Sequence, residues 1–231
     1  MLFHHKMVKL FMSIVTIIDD KNEIVDETKI SNDETVSAAR SLMQAFWAQD
    51  ESQQHFFRSQ MFSLSRLTNS QIELAASLIH HAEEFVIAHE FGHILMNVTQ
   101  EHVRRELLIV EGARESIVRP VFDQHEGHGN NANLQSWMDE IAADFIGVGL
   151  CEELIDDQFQ KIAIHGSAMM SLVMYDMLEK YYQKLNGKSW DSATHPPSDL
   201  RLDVLQTLSG WKARQFGISF RQFSDYILAN V

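Results

Sequence analysis

The sequence predicts a mainly α-helical (α+β) chain, folded as a single domain over residues 1–231, with one or two short strands. Three observations predict it. Apolar residues recur at helical spacing in six or seven segments, which is the signature of helices packing one face on a core. Only one run, near the N-terminus, is dominated by β-branched residues. The chain has 231 residues, 45% of them hydrophobic and 22% charged, enough to enclose one sizeable core and too evenly mixed to remain unfolded.

In chain order, residues 8–18 read as a strand through Ile14, Val15, Thr16, Ile17 and Ile18. From Asp33 to Gln49 the positions Val36, Ala39, Leu42, Met43 and Phe46 have helical spacing. His55 to Leu64 alternates too loosely to assign. A long helix runs from Ser70, an N-cap residue by type, to Met96, with Leu74, Leu78, Phe85, Ile94 and Leu95 as apolar positions. A short helix is expected over Glu101 to Val110. Arg119 to Asn133 carries Pro120, Gly127, Gly129 and three asparagines, and reads as a surface loop. Helical periodicity resumes over Leu134 to Leu150 and over Gln158 to Leu185, where Asn186, Gly187 and Lys188 end it. Pro196 and Pro197 announce a helix from Ser198, and Ser219 to Leu228 forms the last amphipathic stretch.

Charge and composition narrow the function classes. Nineteen basic against 32 acidic residues leave a net charge of −13, which repels a phosphate backbone and argues against nucleic acid as partner. Cys151 is the only cysteine, so there is no disulfide framework and no thiolate-rich zinc site, and the cytoplasm is the expected compartment. Lys6 and Lys9 ahead of an apolar run imitate a signal sequence, but Asp19, Asp20 and Lys21 follow in place of a small-residue cleavage site. No membrane-spanning segment is expected. The most apolar stretch, Ile162 to Leu178, contains His165 and Asp176 and reads as a buried helix.

The chemistry concentrates in the long helix, where His89, Glu90, Phe91, Gly92 and His93 spell H-E-x-x-H. Residues four apart share a helix face, so both imidazoles can approach one ion. Glu90 stands about 100° round, on the ion's outer side, where it can act as general base on a metal-bound water. A catalytic zinc takes three protein ligands and keeps a fourth position for water. Glu140 is the expected third ligand, with its neighbour Asp139 as the alternative. Asp144, one turn beyond Glu140, is placed to accept the free ring N–H of a liganding histidine. Gly92 inside a helix implies a close backbone neighbour, a strand or a substrate. His80 and His81 are read as non-ligands, and His125 and His128 as part of a polar loop.

His89 to His93 followed by Glu140, Ala143 and Asp144 resembles the gluzincin metallopeptidases, in which a glutamate on a second helix completes the metal site. His195, Pro196, Pro197 and Arg201 resemble the His-Pro segment and following arginine of the heat-shock membrane peptidases and CAAX prenyl proteases. Those enzymes are membrane-embedded and this chain has no spanning segment, so a soluble relative such as the phage-exclusion type of peptidase is the better comparison. The resemblance implies a zincin-like metallopeptidase domain holding Zn2+. It also implies that His195 donates a hydrogen bond to the oxyanion and that Arg201 braces the site.

The expected activity is hydrolysis of a peptide bond in a protein or peptide substrate, bound extended along a strand edge as zincins bind theirs. Its rival is a regulatory, catalytically inactive zinc-binding module that interacts with a partner protein. The two differ at Glu90, which has no structural task in a ligand set of His89, His93 and Glu140.

Overall fold

The computed structural model describes residues 69–98, 101, 103–126, 131–153, 155–187 and 195–230. The expected strand at 8–18, the helix at 33–49 and the open segment at 55–64 lie outside the described residues, as do His128 and the side chain of His125. Among the described residues all regular structure is helical: α1 (Asn69–Val98), α2 (Arg104–Ala113), α3 (Arg119–Glu126), α4 (Asn131–Glu152), α5 (Gln158–Asn186), α6 (Ser198–Leu208) and α7 (Trp211–Asn230). No described helix is long and apolar enough to cross a membrane.

Local signals explain both ends of α5. The Asp157 side chain accepts a hydrogen bond from the Gln160 N–H at 2.8 Å and caps α5. Gly187, at φ 65°, ends the same helix in the left-handed conformation that glycine adopts without strain. The expected loop at 119–133 is a correction. A five-residue π-helical turn, Arg114–Val118, runs on from α2 into α3, so helix continues to Glu126. Val118 and Phe122 are fully buried, and the Phe122 ring meets Trp137 edge-on at 5.1 Å. That apolar spacing outweighs the breaker Pro120, which sits beside the wide turn, where a missing N–H and a bulky ring are tolerated.

Two apolar clusters make the core. One joins Leu78 and Phe85 of α1 to Ile164, Met169, Leu172 and Met177 of α5 and to Phe220 and Ile227 of α7. The other joins Val110, Val118, Phe122, Leu134, Trp137 and Ile141. Helix α6 belongs to both, through Leu202 and Leu205 on one side and Leu200 and Val204 on the other. It therefore brings Arg201 against α4. His165 of α5 bonds Ser209 Oγ at 2.9 Å and Glu152 at 3.0 Å. Ser209 is buried, so this run ties the ends of α4 and α6 to α5 and does not present a nucleophile.

Helices α1 and α4 touch backbone to backbone. A Cβ on Gly92 would lie 2.9 Å from the Ala143 carbonyl oxygen, and one on Gly147 would lie 3.0 Å from the His89 nitrogen. The close neighbour of Gly92 is thus a second helix rather than a strand or a substrate. Gly92→Ala gains about 1 kcal/mol of helix propensity but forces main chains apart, and overpacking of that kind costs about 1–3 kcal/mol. Because backbone cannot swing aside as a side chain can, we expect a net loss of stability in urea denaturation.

Candidate metal centre

Helix α1 presents His89 and His93 one turn apart, with Phe85 and Ala82 anchoring the same side in the core. Their Nε2 atoms are 3.3 Å apart. From α4, Glu140 Oε2 lies 3.5 Å from His89 Nε2 and Glu140 Oε1 lies 3.4 Å from His93 Nε2. Asp139 points away, exposed and bonded to Gln135, so Glu140 is the carboxylate that meets the histidines. His89, His93 and Glu140 are the one group of potential metal ligands of this kind among the described residues.

The separations test the fit to an ion. Tetrahedral zinc with bonds of about 2.0–2.1 Å places its ligand atoms roughly 3.3–3.4 Å apart. The two imidazole nitrogens, 3.3 Å apart, agree with that figure. Each meets a different oxygen of Glu140, and with one atom taken from each residue the three lie within 4.8 Å of one another. Two imidazoles with one carboxylate are a donor set that zinc accepts. Other divalent ions accept it as well.

Behind the ligands lies a second layer. His89 Nδ1 is 2.9 Å from Asp144 Oδ1, so the ring donates its Nδ1–H to the carboxylate and turns the Nε2 lone pair toward the cluster. Asp144 is 1% exposed and receives a forked pair of bonds from Arg201, Nε to Oδ2 at 2.8 Å and Nη2 to Oδ1 at 2.6 Å. Arg201 Nη1 also comes within 3.8 Å of Glu140. His195 Nε2 stands 3.4 Å from Glu140 Oε1 with its side chain 59% exposed, at the open edge of the cluster. Glu90, also exposed, stands on α1 between the two histidines in sequence.

Charges follow from this geometry. Burial works against ionisation of Asp144, but the Arg201 guanidinium and His89 overcome it and hold the carboxyl below its ordinary value. Glu140 is likewise held low, by His89 and Arg201 against the cost of burial. Burial also opposes a charge on His89, yet its bonds to Asp144 and Glu140 prevail and push it up from 6.5 to about 9 in the metal-free protein. A raised value of this kind stabilises the metal-free fold fully below pH 6.5, and the contribution disappears as pH rises through about 9. A metal needs the neutral ring, so binding near pH 7 displaces a proton. We expect release of about one proton per zinc, and an affinity that climbs toward pH 9. Calorimetry in buffers of different ionisation heat measures the release, and none at pH 7 would contradict the arrangement.

The chain matches no family model, no curated protein and no solved structure. The centre therefore rests on its own geometry. The structure brings His89, His93, Glu140, Asp144, Arg201 and His195 together, and places Glu90 on the same helix as the histidine pair. His80 is exposed and paired with Glu84, and His81 bonds the same carboxylate, so neither joins the cluster. Sequence reasoning missed Tyr175 of α5. Its phenol is pushed up by burial, feels Glu90 and Asp144, and is countered by Arg201. Nothing local marks it, because it sits in a helix whose pattern signals only core. Cys151 is half-buried, and burial pushes its thiol up to about 11, with Glu84 and Glu152 adding to the effect, which leaves it a poor nucleophile.

Proposed function

We propose that the chain is a zinc-dependent endopeptidase of the gluzincin type, with a zincin-like domain. The observation that carries this reading is the convergence of His89, His93 and Glu140, whose ligand atoms lie within 4.8 Å of one another, with Glu90 on the same helix as the two histidines. Zinc, when bound, would supply an activated water and polarise the scissile carbonyl. The chain's residues divide the remaining work. Glu90 takes the proton from the attacking water and returns it to the leaving amine. His195, at the open edge, donates its ring N–H to the oxyanion. Asp144 holds the His89 tautomer, and Arg201 holds Asp144.

The outer face of α1 suits a peptide. Ile87 and Ile94, three residues before Glu90 and four after it, are 57% and 54% exposed, and the adjoining Phe91 is 54% exposed. Apolar side chains flanking a scissile bond at Glu90 would have apolar surface beside them. A reducing compartment such as the cytoplasm suits a lone, poorly ionised thiol.

Elemental analysis of the purified protein with His93→Ala and Glu140→Ala tests the centre. About one zinc per chain, lost in both variants, supports it; zinc retained by Glu140→Ala refutes the ligand set. Bound zinc with no cleavage across a peptide panel would favour a regulatory zinc-binding module that interacts with a partner protein.

A further inference from the structure

Helix α6 begins without a cap of its own. The residue before its first turn is Pro197, which has no side-chain acceptor, and no side-chain cap bond forms there. Its first residue, Ser198, is 2% exposed. A buried helix start must find acceptors for its free N–H groups. Helix α5 supplies one from across the fold: Glu179 Oε2 accepts the Ser198 N–H at 3.2 Å, and Glu179 Oε1 accepts the Ser198 hydroxyl at 2.6 Å. Burial pushes the Glu179 carboxyl up, with Asp176 and Asp199 adding to the effect, and its two bonds to Ser198 pull against that rise.

Arg201 follows Ser198 by three residues, on nearly the same face of α6. The helix is therefore held twice within one turn, at Ser198 by Glu179 and at Arg201 by Asp144. A slip of one residue would turn α6 by about 100° and shift it by about 1.5 Å, and the forked bond to Asp144 could not survive that.

We infer that Glu179 is a positioning residue for the metal centre, clamping the start of α6 so that Arg201 meets Asp144 and Asp144 in turn orients His89. The inference rests on the proposed centre only for its effect on zinc; its effect on Arg201 does not need a metal.

The test is nitrogen-15 NMR of the full chain, without metal, in wild type, Glu179→Gln, Glu179→Ala and Ser198→Ala. The hydrogen-bonded Nε–H of Arg201 reports the clamp, and the buried amide of Leu172 in α5 reports global stability. We expect Glu179→Ala to accelerate exchange at Arg201 about tenfold or more while Leu172 stays within about twofold. Glu179→Gln, whose amide oxygen still accepts the Ser198 N–H while its NH2 can donate to the Ser198 hydroxyl oxygen, should stay near wild type. Ser198→Ala, which loses one bond and keeps the carboxylate, should accelerate Arg201 less and serves if Glu179→Ala does not fold. Zinc affinity, read with a competing chelator, should weaken about tenfold in Glu179→Ala. Unchanged exchange at Arg201, or acceleration in step with Leu172, overturns the inference. So does a loosened Arg201 with zinc affinity unaltered. A loosened Arg201 in a protein whose wild type binds no zinc leaves the clamp standing and removes the metal reading instead.

Discussion

Glu90→Gln should abolish nearly all peptide hydrolysis while leaving zinc content and melting temperature unchanged. Glutamine keeps the size and polarity of the side chain but cannot take a proton from water. Loss of a positioned general base lowers turnover by about 10²–10⁴-fold. Glu90 is exposed, and substitutions at such positions usually move stability by no more than about 0.5 kcal/mol. The comparison thus separates chemistry from folding and from metal binding. Full activity in a zinc-loaded Glu90→Gln protein would remove the proposed mechanism. A loss accompanied by missing zinc would instead mean that Glu90 helps to hold the ion.

The second large effect concerns stability. Arg201→Ala should destabilise the fold by about 3–5 kcal/mol, because it strands Asp144 as a buried charge facing only His89. The side chains of Arg201 and Asp144 are 13% and 2% exposed, so solvent cannot take over the lost contacts. Asp144→Ala should cost a similar amount and weaken zinc by about 10–100-fold, since His89 then loses the group that orients it. Removing both partners should cost less than the two single losses added together, because neither charge is left alone. Urea denaturation of the three variants gives the coupling directly. Strict additivity would show that the buried pair does not act as a unit.

How far the centre was legible depended on whether each residue announced itself locally. His89 and His93 did, because a spacing of four on a helix is a geometric statement that sequence alone can make. Glu140 and Asp144 share that property within their own helix; the angle between neighbours says that only one of Asp139 and Glu140 can face the histidines, and the structure shows it to be Glu140. Arg201 and His195 were singled out only by resemblance, and the Arg201 bonds to Asp144 and the approach of His195 to Glu140 are tertiary facts. Tyr175 and Glu179 were invisible for a related reason. Each lies on a helix whose pattern signals burial, and what it touches is decided by how α5 meets α1 and α6. The helices themselves were mostly legible, with α3 misread because Pro120 and the nearby glycines and asparagines suggested a loop. Helix α7 was read only from Ser219, whereas it begins at Trp211, directly after a break at Ser209 and Gly210. Arg214 bridges that break by donating to the carbonyls of Gln206 and Thr207.

The contact of Gly92 with Ala143, and of Gly147 with His89, sets the spacing of the two ligand-bearing helices by main chain alone. A side chain added at either glycine would therefore push the histidine pair away from Glu140, however well the rest of the core is packed.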